Sequence, residues 1–348
     1  MRVVVLCGGE SSERAVSHAS GRSVARAVLE RGHQVTLVDP AADVPVLAGP
    51  LHPGDGVEEF AVGAEPPSTA DRERLRRRMH AALTGGPVLE LLRDAELVFL
   101  ALHGGWGEDG HVQALLEMAD VRFTGAGSGA CGAAWHKGRA QAVLGAAGLP
   151  VVERALWRPG SGEVPQGIRQ LVTAGPVVVK PVADGSSVSV HRVDALSELA
   201  QIGAEAPAGE ELMVEPFLPG REFTVAVVGS QALPVVEIEL TTPLFDYTAK
   251  YQPGAASEVC PAKVPDDFAR RLQEMALRAH RALGFGGDAY SRTDFRCDGR
   301  GEPMCIEVNA LPGLTSASLL PLAAGGAGWT YPELIQRIMD LREPMDLS

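Results

Sequence analysis

Residues 1–40 restrict the fold more than any other stretch. Val3 to Cys7 is an apolar run that Gly8-Gly9 breaks into the polar loop Glu10-Ser11-Ser12-Glu13. Ala15 to Arg31 has helical spacing, and Gln34 to Val38 is a second apolar run ending at Asp39-Pro40. Strand, helix, strand in that order implies a parallel sheet with helices on its faces. Ligands of such a sheet bind beyond the carboxyl ends of its strands. GGESSE is not a G-x-G-x-x-G dinucleotide fingerprint, and no Walker loop occurs anywhere in the chain.

Further along, Ala95 to Leu102 predicts another strand, running into HGGWGEDG. A helix from Val112 to Met118 and a short strand near Val121 to Phe123 close a first lobe, residues 1–125. Within it, residues 41–75 are rich in Pro, Gly and Ala and read as a surface excursion; RERLRRRMH after them reads as a solvated basic helix face. A helix around Lys137 to Ala147 opens a central lobe, 126–213. That lobe contains VVVKPVADGSSVSVHRV, a buried strand that delivers Lys180 to its end and then pauses at Asp184-Gly185-Ser186-Ser187. A third lobe, 214–348, holds several strands, the loop TTPLFDYTAKYQPG, a helix from Asp266 to Leu283 and a final hairpin.

Size and charge narrow the function classes. A chain of 348 residues, 45% hydrophobic, can bury a sizeable core. A net charge of −13 argues against unspecific binding to nucleic acid or anionic membrane, which requires a basic surface. Five cysteines without a close C-x-x-C pair fit reduced thiols in a cytoplasm. MRVVVLCGGE is too short an apolar run for a secretory signal, and no run approaches bilayer-spanning length.

The sharpest chemical signal is SRTDFRCDGRGEPMCIEVNALPG, from Ser291 to Gly313, a hairpin turning at DGRG. Glu307 and Asn309 share one face of its second strand, and Arg292 and Asp294 share one face of its first. A register pairing Cys297 with Met304 sets Asp294 opposite Glu307 and Arg292 opposite Asn309, with Phe295 and Met304-Ile306-Val308 facing inward. Two carboxylates and an amide oxygen make a hard-oxygen site suited to Mg²⁺ with substrate phosphates. The alternative is a salt-bridged sheet face in which Arg292 merely neutralises Asp294. With Mg²⁺ there, Lys180 and Lys137 can hold a polyphosphate, and the serine loop's N–H groups can close over it.

These segments together resemble the D-alanine–D-alanine ligase family of the ATP-grasp superfamily. GGESSERAVS (8–17), ALHGGWGEDG (101–110), VVVKPVADGSSV (177–188), VEPFLPGREFTV (214–225), FDYTAKY (245–251) and EVNALPGLTSASLLP (307–321) occur in family order over nearly the whole chain. The resemblance implies an α/β ATP-grasp fold of three lobes, with an N-terminal parallel-sheet domain and ATP held between the central and C-terminal lobes. It implies a cytoplasmic enzyme, acting as a homodimer, that phosphorylates one D-alanine with ATP and lets the amine of a second attack the acyl phosphate.

By the same resemblance, Glu13 holds the first substrate's ammonium and His103 lies beside its carboxylate. Lys137 and Lys180 bind ATP phosphates; Glu215 and the backbone near Phe217 and Leu218 read adenine; Glu222 takes the ribose. Lys250 approaches the γ-phosphate from a lid, and Ser186 joins Glu13 and Tyr251 in locking that lid. Arg292 stabilises the charge developing on the transferred phosphoryl group. Asp294, Glu307 and Asn309 bind two Mg²⁺ ions, or Mn²⁺ in their place. Ser318 and Leu319 position the second substrate's carboxylate. Trp106 and Trp135 read as packing, and His18, His136 and His191 lack ligand spacing. Two departures, Trp135-His136 before the first ATP lysine and SSVS for the common SSVG, leave room for a relative that joins other amino acids.

Overall fold

The structure is a computed structural model that describes residues 1–63, 67–160, 163–185, 189–207, 209–240 and 256–342. In the N-terminal lobe, β1 (Arg2–Leu6), β2 (Gln34–Val38), β3 (Val46–Leu51) and β4 (Leu97–Leu100) form a sheet in the order β3-β2-β1-β4. β1 is parallel to both β2 and β4, as the strand-helix-strand order requires. Val3 to Leu6 are buried, because helices cover both faces of a parallel sheet. The helix Arg14–Glu30 lies so close to β1 that a Cβ on Gly21 would meet the Cys7 Cβ at 2.4 Å.

Two expectations need correction here. The segment read as a surface excursion supplies β3, antiparallel to β2. Its Gly49-Pro50 interrupts the apolar run, and an edge strand tolerates a proline that a central one does not. The short strand expected at Val121 to Phe123 is only an isolated bridge between Val98 and Phe123. The basic helix, Thr69–Thr84, keeps Arg74, Arg76 and Arg77 outward while Leu75, Met79 and Leu83 pack inward, but Arg72 is half-buried with its Nε shut away from solvent.

The central sheet is antiparallel, in the order β5-β8-β6-β7, from β5 (Ala155–Trp157), β6 (Val177–Pro181), β7 (His191–Val193) and β8 (Leu212–Pro216). The C-terminal sheet runs β12-β11-β9-β13-β14, from β9 (Glu222–Val228), β11 (Val236–Leu240), β12 (Ala256–Val259), β13 (Tyr290–Cys297) and β14 (Pro303–Asn309); the short β10 (Gln231–Ala232) pairs with β9. The helix Asp266–Ala282 covers one face of this sheet, packing Leu272, Met275 and Ala279 against Phe223 and Phe295.

The cores cut across contiguous segments. Ala130, Cys131, Ala140 and Leu144, from the two helices that open the central segment, pack with the C-terminal sheet. Leu334, Ile335 and Ile338 of the last helix, Tyr331–Asp340, pack in the N-terminal core. Each such fully buried side chain contributes roughly 1.5–3 kcal/mol, which ties the chain's two ends together. That closure brings the loop after β14 against the first helix and the turn after β4, through Leu314 to Ser20 and Leu311 to His103 and Glu108.

Candidate active site

A cleft of about 520 Å³ opens where the three sheets meet. One wall is the β13–β14 hairpin. Arg292 pairs with Asn309 and Asp294 with Glu307, as expected, but by a different route. Cys297 pairs with Pro303, not Met304, and a bulge after Asp294 restores the register. The bulge also splits the supposed inward face. Cys305 and Val308 face the core, whereas Ile306 lines the cleft and Met304 sits beside Arg296.

On that wall Arg292 grips Asp294 with two bonds of 2.8 Å, Nε to Oδ1 and Nη2 to Oδ2. Thr224 Oγ1 donates to Asp294 Oδ1 at 2.6 Å, and Asn309 Nδ2 donates to Oδ2 at 3.0 Å. Burial alone would ease the proton off Arg292, but Asp294 and then Glu307 hold it firmly cationic. The salt-bridged alternative is therefore present in this conformation. The donor set still fits a hard cation. Asn309 keeps its amide oxygen available, and Asp294 and Glu307 are cross-strand neighbours. Among the described residues no three His, Cys, Asp or Glu side chains form a ready-made cage. Mg²⁺ seldom needs one, since it uses one or two carboxylates with substrate phosphates and water.

The opposite wall belongs to the central lobe. Lys180 is buried at the end of β6, where its register against β8 makes Glu215 its diagonal neighbour. Lys180 Nζ lies 2.5 Å from Glu215 Oε1. Lys137 opens a helix and donates from Nζ to Asp184 O at 2.6 Å, with Glu307 Oε2 at 3.3 Å. Gln141, which the sequence did not single out, bridges the walls by donating to Glu215 Oε2 (3.3 Å) and Ile306 O (3.2 Å). Phe217 lies under two guanidinium groups, Arg192 at 4.7 Å and Arg296 at 5.0 Å, and Arg296 also reaches Glu222 at 3.2 Å. Phe217, Leu218 and Glu222 all line the cleft.

Trp135, expected only to pack, lines the cleft as well. The unusual His136 has a local job. Its Nδ1 accepts from Arg139 N–H at 3.3 Å, capping the helix that presents Lys137.

At the N-terminal end, Glu13 is buried between two glycines. A Cβ on Gly185 would come within 2.0 Å of Glu13 Oε2, and one on Gly104 within 2.8 Å. His103 is buried with both ring nitrogens engaged: Nδ1–H donates to Leu311 O at 3.0 Å, and Nε2 accepts from Ser20 Oγ at 2.8 Å. Burial lowers its pKa to about 4. A neutral, fully bonded imidazole brings no positive charge to a substrate carboxylate. It instead clamps the β4 end, the first helix and the loop after β14 together. Glu108 is a second residue that sequence reasoning passed over, although it lies within HGGWGEDG. It accepts from Gly104 N–H (2.8 Å) and Leu311 N–H (3.1 Å), and burial with Glu13 nearby pushes its carboxyl up.

At the far end Ser318 precedes the helix Leu319–Gly326, and its Oγ accepts from Thr315 N–H at 3.1 Å. A helix N-terminus offers unsatisfied N–H groups and favours an anion. Ser186, Lys250 and Tyr251 lie outside the described residues.

The three lobes, the antiparallel sheets and the cleft between central and C-terminal lobes define an ATP-grasp enzyme. Two family models, D-ala D-ala ligase N-terminus over residues 2–126 and D-ala D-ala ligase C-terminus over 143–340, match the sequence, and the chain belongs to the D-ala D-ala ligase family. It is 37% identical over 341 residues to a D-alanine–D-alanine ligase of Anaeromyxobacter sp. (strain Fw109-5), covering 97% of this chain and 96% of that one. A second relative of that name, from Oleidesulfovibrio alaskensis, is 37% identical over 345 residues, covering 98% and 96%. Among solved structures, the D-alanine–D-alanine ligase of Bacillus anthracis superposes with a TM-score of 0.73 at 25% identity, covering 98% of this chain and 97% of that one. VanG D-Ala:D-Ser ligase of Enterococcus faecalis gives 0.72 at 25%, covering 98% and 99%.

Proposed function

We infer that this chain joins two D-alanines into D-alanyl-D-alanine for peptidoglycan precursors, consuming ATP through an acyl phosphate. The observation that supports this best is the near full-length family match, laid over a cleft with two lysines on one wall and Arg292, Asp294, Glu307 and Asn309 on the other.

ATP lies between the central and C-terminal lobes in this reading. Its adenine is read by Glu215 and the backbone near Phe217 and Leu218, and its ribose by Glu222. Lys137 and Lys180 neutralise the phosphates, which requires each to exchange its present carboxylate partner for phosphate oxygen. Asp294, Glu307 and Asn309 hold two Mg²⁺ ions, or Mn²⁺, which when bound neutralise charge on the phosphoryl oxygens. Glu13 receives the donor's ammonium. His103 and Glu108 fix the loops around the donor instead of touching it with charge. Arg292 stabilises the transferring phosphoryl group and the tetrahedral intermediate. Ser318 and the Leu319 N–H orient the acceptor's carboxylate. Ser186, Lys250 and Tyr251 are assigned to the lid by their motifs alone; a closed lid shelters an acyl phosphate from water.

Phosphate release from ATP with D-alanine, D-serine, D-lactate and L-alanine, together with product analysis, tests this reading. D-alanyl-D-alanine as the dominant product is expected; a mixed product identifies a ligase for other amino acids. The lobe boundaries at 125 and 213, a homodimer and a cytoplasmic location belong to the same proposal. Sedimentation of the purified chain tests the dimer. Among the described residues no helix is long and apolar enough to cross a membrane.

A further inference from the structure

Glu258 differs from every other charged group in the cleft. Lys137, Lys180, Glu215, Arg292 and Asp294 each have an ion-pair partner. Glu258 lines the same cleft with no hydrogen bond or ion pair among the described residues. It stands on β12, opposite Ile238, which in turn stands opposite Glu222, so the three share the cleft face of the sheet. The helix Leu319–Gly326, whose first turn is the proposed acceptor carboxylate site, packs Leu320 and Ala323 in one core with Ala226 and Val236 of the neighbouring strands. Arg292 is near enough to oppose the effect of burial, which pushes the Glu258 carboxyl above its ordinary range. A half-buried carboxylate without a partner costs free energy. A ligand cation arriving between Ser318 and Arg292 would offset that cost.

We propose that Glu258 receives the ammonium of the acceptor amino acid and takes a proton from it, making the amine nucleophilic. The inference rests on the ligase reading. It adds a base for the second half-reaction, where the mechanism above names only a carboxylate site.

Glu258 takes one proton from the acceptor's –NH3⁺. The freed lone pair forms the C–N bond at the donor's acyl carbon, and the electron pair of the breaking C–O bond leaves on phosphate. The nitrogen's surplus proton departs with that phosphate, and Glu258 later returns its own proton to water. A base near the working pH suits this transfer.

The test compares wild type, Glu258→Gln and Glu258→Asp in two reactions. One is dipeptide formation from D-alanine and ATP. The other is hydroxamate formation when hydroxylamine, already a neutral amine, traps the acyl phosphate. In Glu258→Gln, kcat/KM for the acceptor should fall roughly a hundredfold or more, while hydroxamate formation and the KM for ATP stay at wild-type values. Glu258→Asp should recover part of the dipeptide rate, and it also serves if the Gln variant folds poorly. A normal acceptor kcat/KM in Glu258→Gln, or a parallel loss of hydroxamate, overturns the proposal. A wild type that forms hydroxamate but no D-alanyl dipeptide keeps the ATP-dependent donor step and removes both the acceptor assignment and this inference.

Discussion

Lys180 Nζ and Glu215 Oε1 lie 2.5 Å apart, both buried, on diagonal positions of neighbouring strands. The pair satisfies a buried charge, and in the proposed function it holds the lysine where a phosphate would arrive. Removing Glu215 by Glu215→Ala should destabilise the chain by about 3–5 kcal/mol, because an uncompensated buried ammonium remains. Lys180→Ala should raise the KM for ATP roughly tenfold to a hundredfold and abolish the thermal stabilisation that ATP gives the wild type. Unchanged ATP affinity would reduce Lys180 to a structural ion pair.

Glu307→Gln should eliminate turnover while leaving the melting temperature close to wild type. Glu307 is only partly buried, so the fold does not depend on its charge. A Mg²⁺ site that loses a carboxylate holds its ion poorly. Near-normal rates at saturating Mg²⁺ would remove Glu307 from the coordination shell.

Gly185→Ala should weaken the donor site without unfolding the protein. The new methyl would overlap Glu13 Oε2, the mobile end of a side chain, and push the carboxylate out of place. Loss of that charge-assisted contact predicts a donor KM higher by roughly tenfold. The KM for ATP should hold. An unchanged donor KM would mean that Glu13 does not bind the donor.

His103 predicts a stability that falls on acidification. Its folded pKa is depressed to about 4 by burial, below the ordinary 6.5. Between those values the unfolded chain binds a proton that the native state refuses, so stability is full above pH ~6.5 and drains away towards pH ~4, by up to about 3 kcal/mol. Urea unfolding at pH 7 and pH 4.5 should show a smaller difference in His103→Gln than in wild type, other groups cancelling in the comparison. Equal differences would sink the assignment.

Much of the fold was legible because local pattern and tertiary demand agree. β1, the first helix, β2 and the β13–β14 hairpin all carry clear periodicity; the pairing of Arg292 with Asn309 and Asp294 with Glu307 is expected from it, but the bulge that produces the pairing is not. β3 was missed because Gly49-Pro50 hides a strand that only an edge position permits. The partners of Lys180 and His103 were illegible for another reason. Glu215 and Leu311 are distant in sequence, and only the packing of the lobes brings them into reach. Glu108 carried a signal in HGGWGEDG, two Gly-flanked acids at a strand end, but periodicity does not tell which of them turns inward.

The bulge after Asp294 acts as a phase shifter within one strand. Upstream of it β14 presents Cys305 to the core; downstream it presents Glu307 and Asn309 to the cleft. The two halves are thereby insulated from each other. Substitutions that repack the core around Cys305 leave the spacing of the Glu307 and Asn309 oxygens alone, and the cleft end can drift in chemistry without disturbing the core. Deleting Ile306 would remove that insulation, and the two halves of the strand could no longer satisfy both surroundings at once.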